Sequence, residues 1–266
     1  MTPSSRSHPP FALIVRAVWR RWLEPALRMR KTMAAVPHFI HYLSQWQQYT
    51  RLPGAEPLQV YDSYPSLFDA LDITPFDPHY FYQAVWATQR IVQRGVRQHI
   101  DIGSDVRFVS MLTTHLPVAF IDIRPLRAQV SQLTSAAGSI LNLPFANATA
   151  ESLSCLHVAE HIGLGRYGDP LDPAGTRHAC SELKRILAPG GRLYFSLPVG
   201  QSRVCFNAHR VHAPQQIIEY FAGLELVEFS GVDDAGQLLL DIPPAQLNNA
   251  EYGCGLFEFK QTESSA

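Results

Sequence analysis

The chain of 266 residues is 46% hydrophobic and 17% charged, a balance typical of a globular protein with one substantial core and an extension. Its net charge of −1 is unevenly divided: residues 1–54 carry eight basic residues against Glu24 alone, so this segment is basic and the remainder is acidic. No run of about 18 apolar residues occurs and no signal peptide is recognisable, which argues against a membrane-spanning helix and predicts a cytoplasmic protein.

The first 95 residues are predicted to precede the main domain. Residues 1–10 are rich in Ser, Pro and His, which is typical of a disordered tail, and residues 11–95 are predicted to form a helical extension. Apolar residues recur at helical spacing near its start, at Val15, Val18, Trp19, Trp22 and Ala26. The arginines beside this stripe suit peripheral contact with a membrane or a protein partner. We favour the alternative, in which the helix packs on the main domain through its tryptophans and its arginines lie in solvent.

From residue 98 onward, short β-rich runs alternate with helical runs. This pattern predicts an α/β fold over residues 96–262, with a doubly wound, mostly parallel seven-stranded sheet of the Rossmann-like type. The predicted strands are Gln98–Ile102, Val118–Asp122, Ser139–Leu141, Leu153–His157, Gly191–Leu197, Leu224–Val232 and an antiparallel Gly255–Lys260. The predicted helices are Val106–His115, Leu126–Leu133, Ala174–Leu187 and Pro214–Phe221.

The cysteines argue against a metal or disulfide scaffold. Cys155, Cys180, Cys205 and Cys254 lie far apart and form no C-x-x-C pair. We expect them to be reduced and mostly buried, and we predict no metal site.

The ends of the first two predicted strands carry the strongest signals for a ligand. In a doubly wound sheet the ligand lies beyond the carboxyl ends of the strands, where strand order reverses. The first strand runs into Gly103, where the backbone can approach a ligand closely, and the second ends in Asp122. A carboxylate there suits the two hydroxyls of a ribose, although a helix cap is an equally good interpretation of Asp122 alone.

Five strings in order resemble the class I S-adenosylmethionine-dependent methyltransferases: HIDIGS, FIDIRP, SILNLPF, LSCLHVAEHI and SELKRILAPGGRLYFSLP. The resemblance spans about residues 98 to 260 and implies S-adenosylmethionine as cofactor. It also implies a set of cofactor-binding residues: Asp101 and Gly103 at the methionine part, Asp122 at the ribose, Asn142 and Leu143 at the adenine edge, and His157 and Glu160 facing the cofactor sulfur or the substrate. Ser104, which follows Gly103, is predicted to bind the cofactor as well.

The loop after the first strand departs from the three alternating glycines of these enzymes. Asp105 and Arg107 stand in place of the second and third glycines, and we expect their side chains to narrow the approach of the cofactor. A non-catalytic binding or scaffold protein that retains the fold is therefore the alternative to an enzyme.

Four further strings resemble an uncharacterised domain family allied to methyltransferases: HYFYQAVW at 79–86, FIDIRPL at 120–126, EHIGLGRYGDPLDPAG at 160–175 and LPVGQSRVCFNAHRV at 197–211. The resemblance includes a loop that reads Gly-Ser after the first strand. The absence of the second and third glycines would therefore be a trait of that family. It implies no known substrate.

Polar segments after the fourth and fifth predicted strands lie at the same sheet edge and predict a substrate pocket. Candidates for a general base are His161, Asp169 and His209, and the candidates for substrate contact are Arg166, Tyr167, Asn207 and Arg210. Ordinary loop structure is the alternative, since Asp169 precedes a proline. The predicted reaction is methyl transfer to an oxygen or nitrogen of a small polar acceptor, such as a sugar. Nucleic acid is disfavoured because the domain is acidic.

Residues 157–161 also spell H-x-x-E-H, the motif of inverted zinc proteases. Such a site needs both histidines on one helical face. The strand-like run before His157 places it at a strand end, and Gly163 and Gly165 interrupt any helix, so this interpretation is disfavoured.

Overall fold

A computed structural model describes residues 29–263 in two compact units that divide between Pro75 and Phe76. The predicted tail and the apolar stripe from Val15 to Ala26 lie outside the described residues. Among the residues described, no helix combines the length and the apolar character needed to cross a membrane.

Over its described residues, 29–75, the first unit contains helix α1, Met29–Tyr49, and one 3-10 turn, Val60–Asp62. The hydroxyl of Tyr49 donates to the carboxylate of Glu56, which holds the turn after the helix. This helix lies within the predicted extension of residues 11–95.

Helix α2, Pro78–Arg94, belongs to the second unit, so the main domain begins at Phe76 and not at residue 96 as predicted. The carboxylate of Asp77 caps its first turn. The helix buries Trp86 and Ile91 in the core of the second unit. An amphipathic helix read from sequence alone does not reveal which neighbour covers its apolar face.

The second unit is built on an eight-stranded sheet of order β3-β2-β1-β4-β5-β10-β8-β9. Its strands are β1 (His99–Ile102), β2 (Val118–Asp122), β3 (Leu133–Ala137), β4 (Ala150–Leu156), β5 (Leu187–Val199), β8 (Leu224–Val232), β9 (Leu238–Leu239) and β10 (Gly253–Gln261), with β6 (Arg203–Cys205) and β7 (His209–Val211) forming a separate hairpin. The other helices are α3 (Val106–Leu112), α4 (Gly175–Ile186) and α5 (Pro214–Tyr220).

The topology confirms the predicted doubly wound sheet. Strands β1 to β5 pair in parallel, and β10 runs antiparallel between β5 and β8. The eighth strand, β9, has only two residues and pairs with the end of β8. A strand of this length leaves no periodic signal, which explains why the prediction had seven.

The predicted helix Leu126–Leu133 does not form, and the third strand is β3 rather than Ser139–Leu141. Leu133 pairs with Val118, so the strand begins where the helix was expected to end. The segment before it is held instead by the amide of Leu126, which donates to the hydroxyl of Ser135. A short run of small residues has too little periodicity to distinguish a helix from a strand in this segment.

Apolar side chains cover both faces of the sheet. Along β5, Phe195 belongs to one buried cluster and Tyr194 to another, because successive residues of a strand point to opposite faces. Helices α2 and α3 cover one face, and α4 and α5 cover the other. The loops at the strand ends are thereby held between two packed layers.

Candidate functional site

A cavity opens at the carboxyl ends of β1, β2 and β4. Strand order reverses between β1 and β4, which is where doubly wound sheets place their ligands. The cavity is lined by Ile102, Gly103, Ile121, Asp122, Ile123, Arg124, Gly138, Ile140, His157, Val158, His161, Ile162 and Tyr167. Five predicted site residues are among them: Gly103, Asp122, His157, His161 and Tyr167.

Gly103 and Asp122 meet at the wall of this cavity. Gly103 has a φ of 68°, and a Cβ atom there would lie 3.2 Å from Asp122 Oδ2. Asp122 Oδ1 accepts the amide of Arg124 at 2.6 Å, and the side chain remains 15% exposed. No helix follows within residues 123–132, so Asp122 is not a helix cap and its second oxygen is directed to the loop beside the cavity.

Asp101 and Ser104 lie behind the glycine loop, outside the cavity lining. Asp101 accepts the amide of Ser104 at 3.0 Å and the hydroxyl of Ser154, and the hydroxyl of Ser104 accepts the amide of Leu156 at 2.9 Å. Burial raises the pKa of Asp101 to about 6, although these hydrogen bonds oppose the shift. The two residues therefore brace the loop against β4.

The expected narrowing by Asp105 and Arg107 does not occur. The carboxylate of Asp105 accepts the amide of Arg107 at 2.8 Å and caps α3, while the Arg107 side chain is 79% exposed. Neither residue lines the cavity, because the capped helix start directs both away from it.

The two residues predicted at the adenine edge do not line the cavity, because the third strand lies earlier in the chain than predicted. Asn142 is exposed, and Leu143 is buried in the core beneath α4. Because β3 ends at Ala137, Gly138 and Ile140 line the cavity in their place. Sequence reasoning missed Ile140 and Arg124. Arg124 could have been predicted from the sequence, since it follows Asp122 by two residues and therefore lies at the same strand end.

His157, Glu160 and His161 form a buried polar cluster after β4. Glu160 Oε1 lies 2.9 Å from His157 Nδ1 and 3.6 Å from His161 Nε2. Burial alone would raise the pKa of Glu160, but the charges of His157 and His161 and the hydrogen bonds to the carboxylate together lower it. His161 Nδ1 donates to the carbonyl of Ala208 at 2.6 Å. Glu160 therefore holds the ring of His157, the carbonyl of Ala208 holds that of His161, and both rings line the cavity.

Two arginines flank Tyr167 at the cavity. The guanidinium of Arg124 lies 4.6 Å from the ring centre and that of Arg166 lies 5.1 Å from it. Arg166 also donates to the carbonyl of Ala208 at 3.0 Å. Cation–π contacts of this kind hold the aromatic ring in place and leave positive charge beside it.

The remaining predicted residues are two candidate bases, Asp169 and His209, and two candidate substrate residues, Asn207 and Arg210. Arg210 is buried and donates to the carbonyls of Ile162 and Asp172, the latter at 2.9 Å. Asp169 accepts the amides of Gly163 and Tyr167. Asn207 is exposed between β6 and β7, and His209 packs against the ring of Tyr252 at 5.0 Å. None of these four lines the cavity.

The H-x-x-E-H string does not form the helix that a protease site requires. Residues Ala159–His161 make one 3-10 turn, and His157 precedes it. The two histidines therefore do not share a helical face.

The comparisons with known proteins agree with the fold described above. The N-methyltransferase NodS from Bradyrhizobium japonicum WM9, crystallised with S-adenosyl-L-homocysteine, is 21% identical, with 72% of this chain and 90% of that chain aligned at a TM-score of 0.51. The same enzyme crystallised alone is 20% identical over 70% of this chain and 98% of its own, with a TM-score of 0.51. This chain has the class I methyltransferase fold.

A further solved structure is similar to this chain. A chain of the complex between the Haloferax volcanii Trm112 methyltransferase activator and the putative methyltransferase is 17% identical, over 71% of this chain and 92% of that chain, with a TM-score of 0.51. Residues 140–250 match the family DUF268, described as a Caenorhabditis protein of unknown function. No curated protein matches the sequence.

Proposed function

We propose that this protein binds S-adenosylmethionine in the cavity at β1, β2 and β4 and transfers the methyl group to a small polar acceptor. The observation that carries the proposal is the half-buried carboxylate of Asp122 against the left-handed Gly103 at the switch point of the sheet. The carboxylate of Asp122 can accept hydrogen bonds from ribose hydroxyls, and the lack of a side chain at Gly103 lets the cofactor approach the backbone there.

The lining residues fit the parts of the cofactor. Asp122 would accept hydrogen bonds from the ribose, and the apolar side chains of Ile121 and Ile140 would cover the adenine. Gly103 would leave room for the methionine part. When bound, the cofactor supplies a methyl group already activated by the sulfonium, so the protein's task is to align the acceptor and remove a proton.

His161 is the best placed of the three predicted bases. Its Nδ1 donates to the carbonyl of Ala208, which leaves the lone pair on Nε2 free to accept a proton. Glu160 Oε1, 3.6 Å from Nε2, is too distant for a hydrogen bond but close enough to stabilise an imidazolium. Asp169 is occupied by backbone amides, and His209 lies outside the cavity lining.

The cations at the cavity favour a polar acceptor. Arg124 and Arg166 flank Tyr167, and this set would bind hydroxyl or anionic groups while the ring covers an apolar face. A hydroxyl or a sugar would suit these contacts, with the accepting oxygen directed to His161.

Isothermal titration with S-adenosylhomocysteine tests the cofactor site. We expect saturable binding to the wild type, and at least tenfold weaker binding to Asp122→Ala, because a hydrogen bond to a charged group contributes about 1.5–3 kcal/mol. Asp72→Ala is the matched control, since Asp72 is exposed in the other unit. Absence of wild-type binding at millimolar ligand would overturn the proposal and favour a binding protein that keeps the fold without its cofactor.

A further inference from the structure

A second group of potential ligands lies beside the cavity. His79 stands in the first turn of α2, His157 follows β4, and Cys254 lies in β10. Their ligand atoms all lie within 4.8 Å of one another, and His157 Nε2 is 3.4 Å from Cys254 Sγ. The three residues are 9%, 8% and 0% exposed, respectively. Three elements distant in sequence thus bring two imidazoles and one thiol to a single buried point.

The separations fit a shared metal ion. At zinc, bonds of about 2.0–2.1 Å to nitrogen and 2.3 Å to sulfur place tetrahedral ligand atoms roughly 3.3–3.7 Å apart. The His157–Cys254 distance already has this value. The ring centroids of His79 and His157 lie 5.4 Å apart, close to the roughly 5 Å expected of two imidazoles on one such ion. A movement of about 1 Å would complete the set.

The residues behind these ligands orient them as metal sites require. Glu160 Oε1 lies 2.9 Å from His157 Nδ1, which directs Nε2 toward Cys254, in the manner of a carboxylate–histidine–metal arrangement. Asp77 accepts the amide of His79 at 2.9 Å and fixes the start of α2. His157 itself has a φ of 56°, an unfavourable conformation for a residue with a Cβ atom. At this backbone conformation, His157 Nε2 lies 3.4 Å from Cys254 Sγ.

The flanking rings keep the cluster ordered and partly dry. Tyr252 packs on His79 at 5.2 Å and Tyr80 on His157 at 5.2 Å.

We propose that His79, His157 and Cys254 bind one zinc ion. Thiolate together with imidazole is a donor set that selects zinc over magnesium or calcium. As the Zn–S bond forms, the thiol proton of Cys254 is released to solvent. Three protein ligands leave one tetrahedral position for water or another group. The ion would join α2, β4 and β10 at the residue, His157, that also lines the cofactor cavity.

Metal analysis and cobalt substitution test the site. Full-length protein, stripped with a chelator, is titrated with zinc and desalted, and bound metal is counted by mass spectrometry. We expect one zinc per chain. With Co²⁺ in place of zinc, we expect the intense absorption of thiolate-to-cobalt charge transfer and the visible bands of a tetrahedral ion.

Variants assign the ligands. Cys254→Ser should abolish the charge-transfer band, and His79→Gln should weaken zinc binding at least tenfold. Cys180→Ser and His99→Gln are the matched controls, because both change a buried residue of the same type outside the cluster. Both controls should keep the stoichiometry and spectrum of the wild type.

Two results would overturn the proposal. The first is a wild type that retains no zinc and gives no charge-transfer band, which decides the matter even if the variants fold poorly. The second is a band that persists in Cys254→Ser. Binding of S-adenosylhomocysteine is measured separately, so the metal site and the cofactor site succeed or fail independently.

Discussion

Gly103 is subject to two constraints, one from its backbone conformation and one from the neighbouring carboxylate of Asp122. Its φ of 68° disfavours any side chain, and a Cβ atom would also lie 3.2 Å from Asp122 Oδ2. We expect Gly103→Ala to reduce the free energy of unfolding by about 1 kcal/mol or more and to weaken S-adenosylhomocysteine binding. Urea denaturation and isothermal titration measure the two effects.

Gly95 provides the control for backbone strain. It has a φ of 65° at the end of α2, and no atom lies within 4 Å of a Cβ placed there. Gly95→Ala should lose similar stability while keeping ligand binding. Equal loss of binding in both variants would contradict the role of Gly103 at the cavity.

His99 makes stability depend on pH. Its nitrogens lie 2.7 Å from the hydroxyl of Ser152 and 2.8 Å from that of Ser154, and burial lowers its pKa to about 3. Between pH 3 and 6.5 the unfolded chain binds the additional proton, so this residue's contribution is complete above pH 6.5 and is lost as pH falls. A shift of this size corresponds to about 5 kcal/mol at most.

We expect His99→Gln to be less sensitive to acid than the wild type between pH 6.5 and 4. Urea denaturation at several pH values measures the slope. His115→Gln, at an exposed position, should follow the wild-type curve. Parallel curves for wild type and His99→Gln would show that His99 does not titrate as its burial requires.

Among elements, the hairpin β6–β7 supports the loop after β4 through one side chain. Arg210 in β7 donates to the carbonyls of Ile162 and Asp172 at the two ends of that loop. Arg210→Met would leave both carbonyls without this donor, so we expect a loss of about 1–3 kcal/mol in the free energy of unfolding. We also expect faster hydrogen exchange at the amides of Asp172 and Gly175, whose partners lie in the same loop.

The control for this effect lies in the neighbouring strand. Arg203 in β6 donates within its own turn, to the carbonyl of Gln201. Arg203→Met should leave exchange in the loop unchanged. If the two variants exchange alike, Arg210 does not brace the loop.

At the scale of the whole molecule, the limits of the main domain differ from those that the sequence predicts. Residues 76–266 form one compact unit that includes α2. Within it, α2 buries Trp86, and Arg90 forms an ion pair with Glu228 of β8 at 2.6 Å. We expect residues 76–266 to unfold cooperatively when expressed alone, and residues 96–266 to lack a cooperative transition.

Circular dichroism during thermal denaturation distinguishes these outcomes. Loss of α2 uncovers the core face that contains Phe108 and Leu256, which the remaining chain has no segment to cover. A cooperative transition in residues 96–266 would show that α2 is an accessory element and would restore the predicted boundary.

Much of the fold was predictable because it depends on local sequence. Val118–Asp122 was predicted to the residue and a strand was predicted near Leu224–Val232, since apolar, β-branched runs bounded by turn residues indicate strands directly. Gly103 and Asp122 were predictable as cavity residues for a related reason. The end of a buried parallel strand faces the ligand edge wherever the neighbouring strands lie.

Other features were decided only by tertiary structure. The position of strand β3 depends on its pairing with β2. Because β3 lies earlier in the chain than predicted, Ile140 lines the cavity and Asn142 does not. The sequence shows that Arg210 is charged but not what it binds. Only the tertiary structure brings the carbonyls of Ile162 and Asp172 within hydrogen-bond distance of its guanidinium. The sequence predicted no metal site, because the spacing of cysteines detects only ligands that are neighbours along the chain. His79, His157 and Cys254 come together through the packing of α2, β4 and β10, and such long-range contacts leave no local pattern.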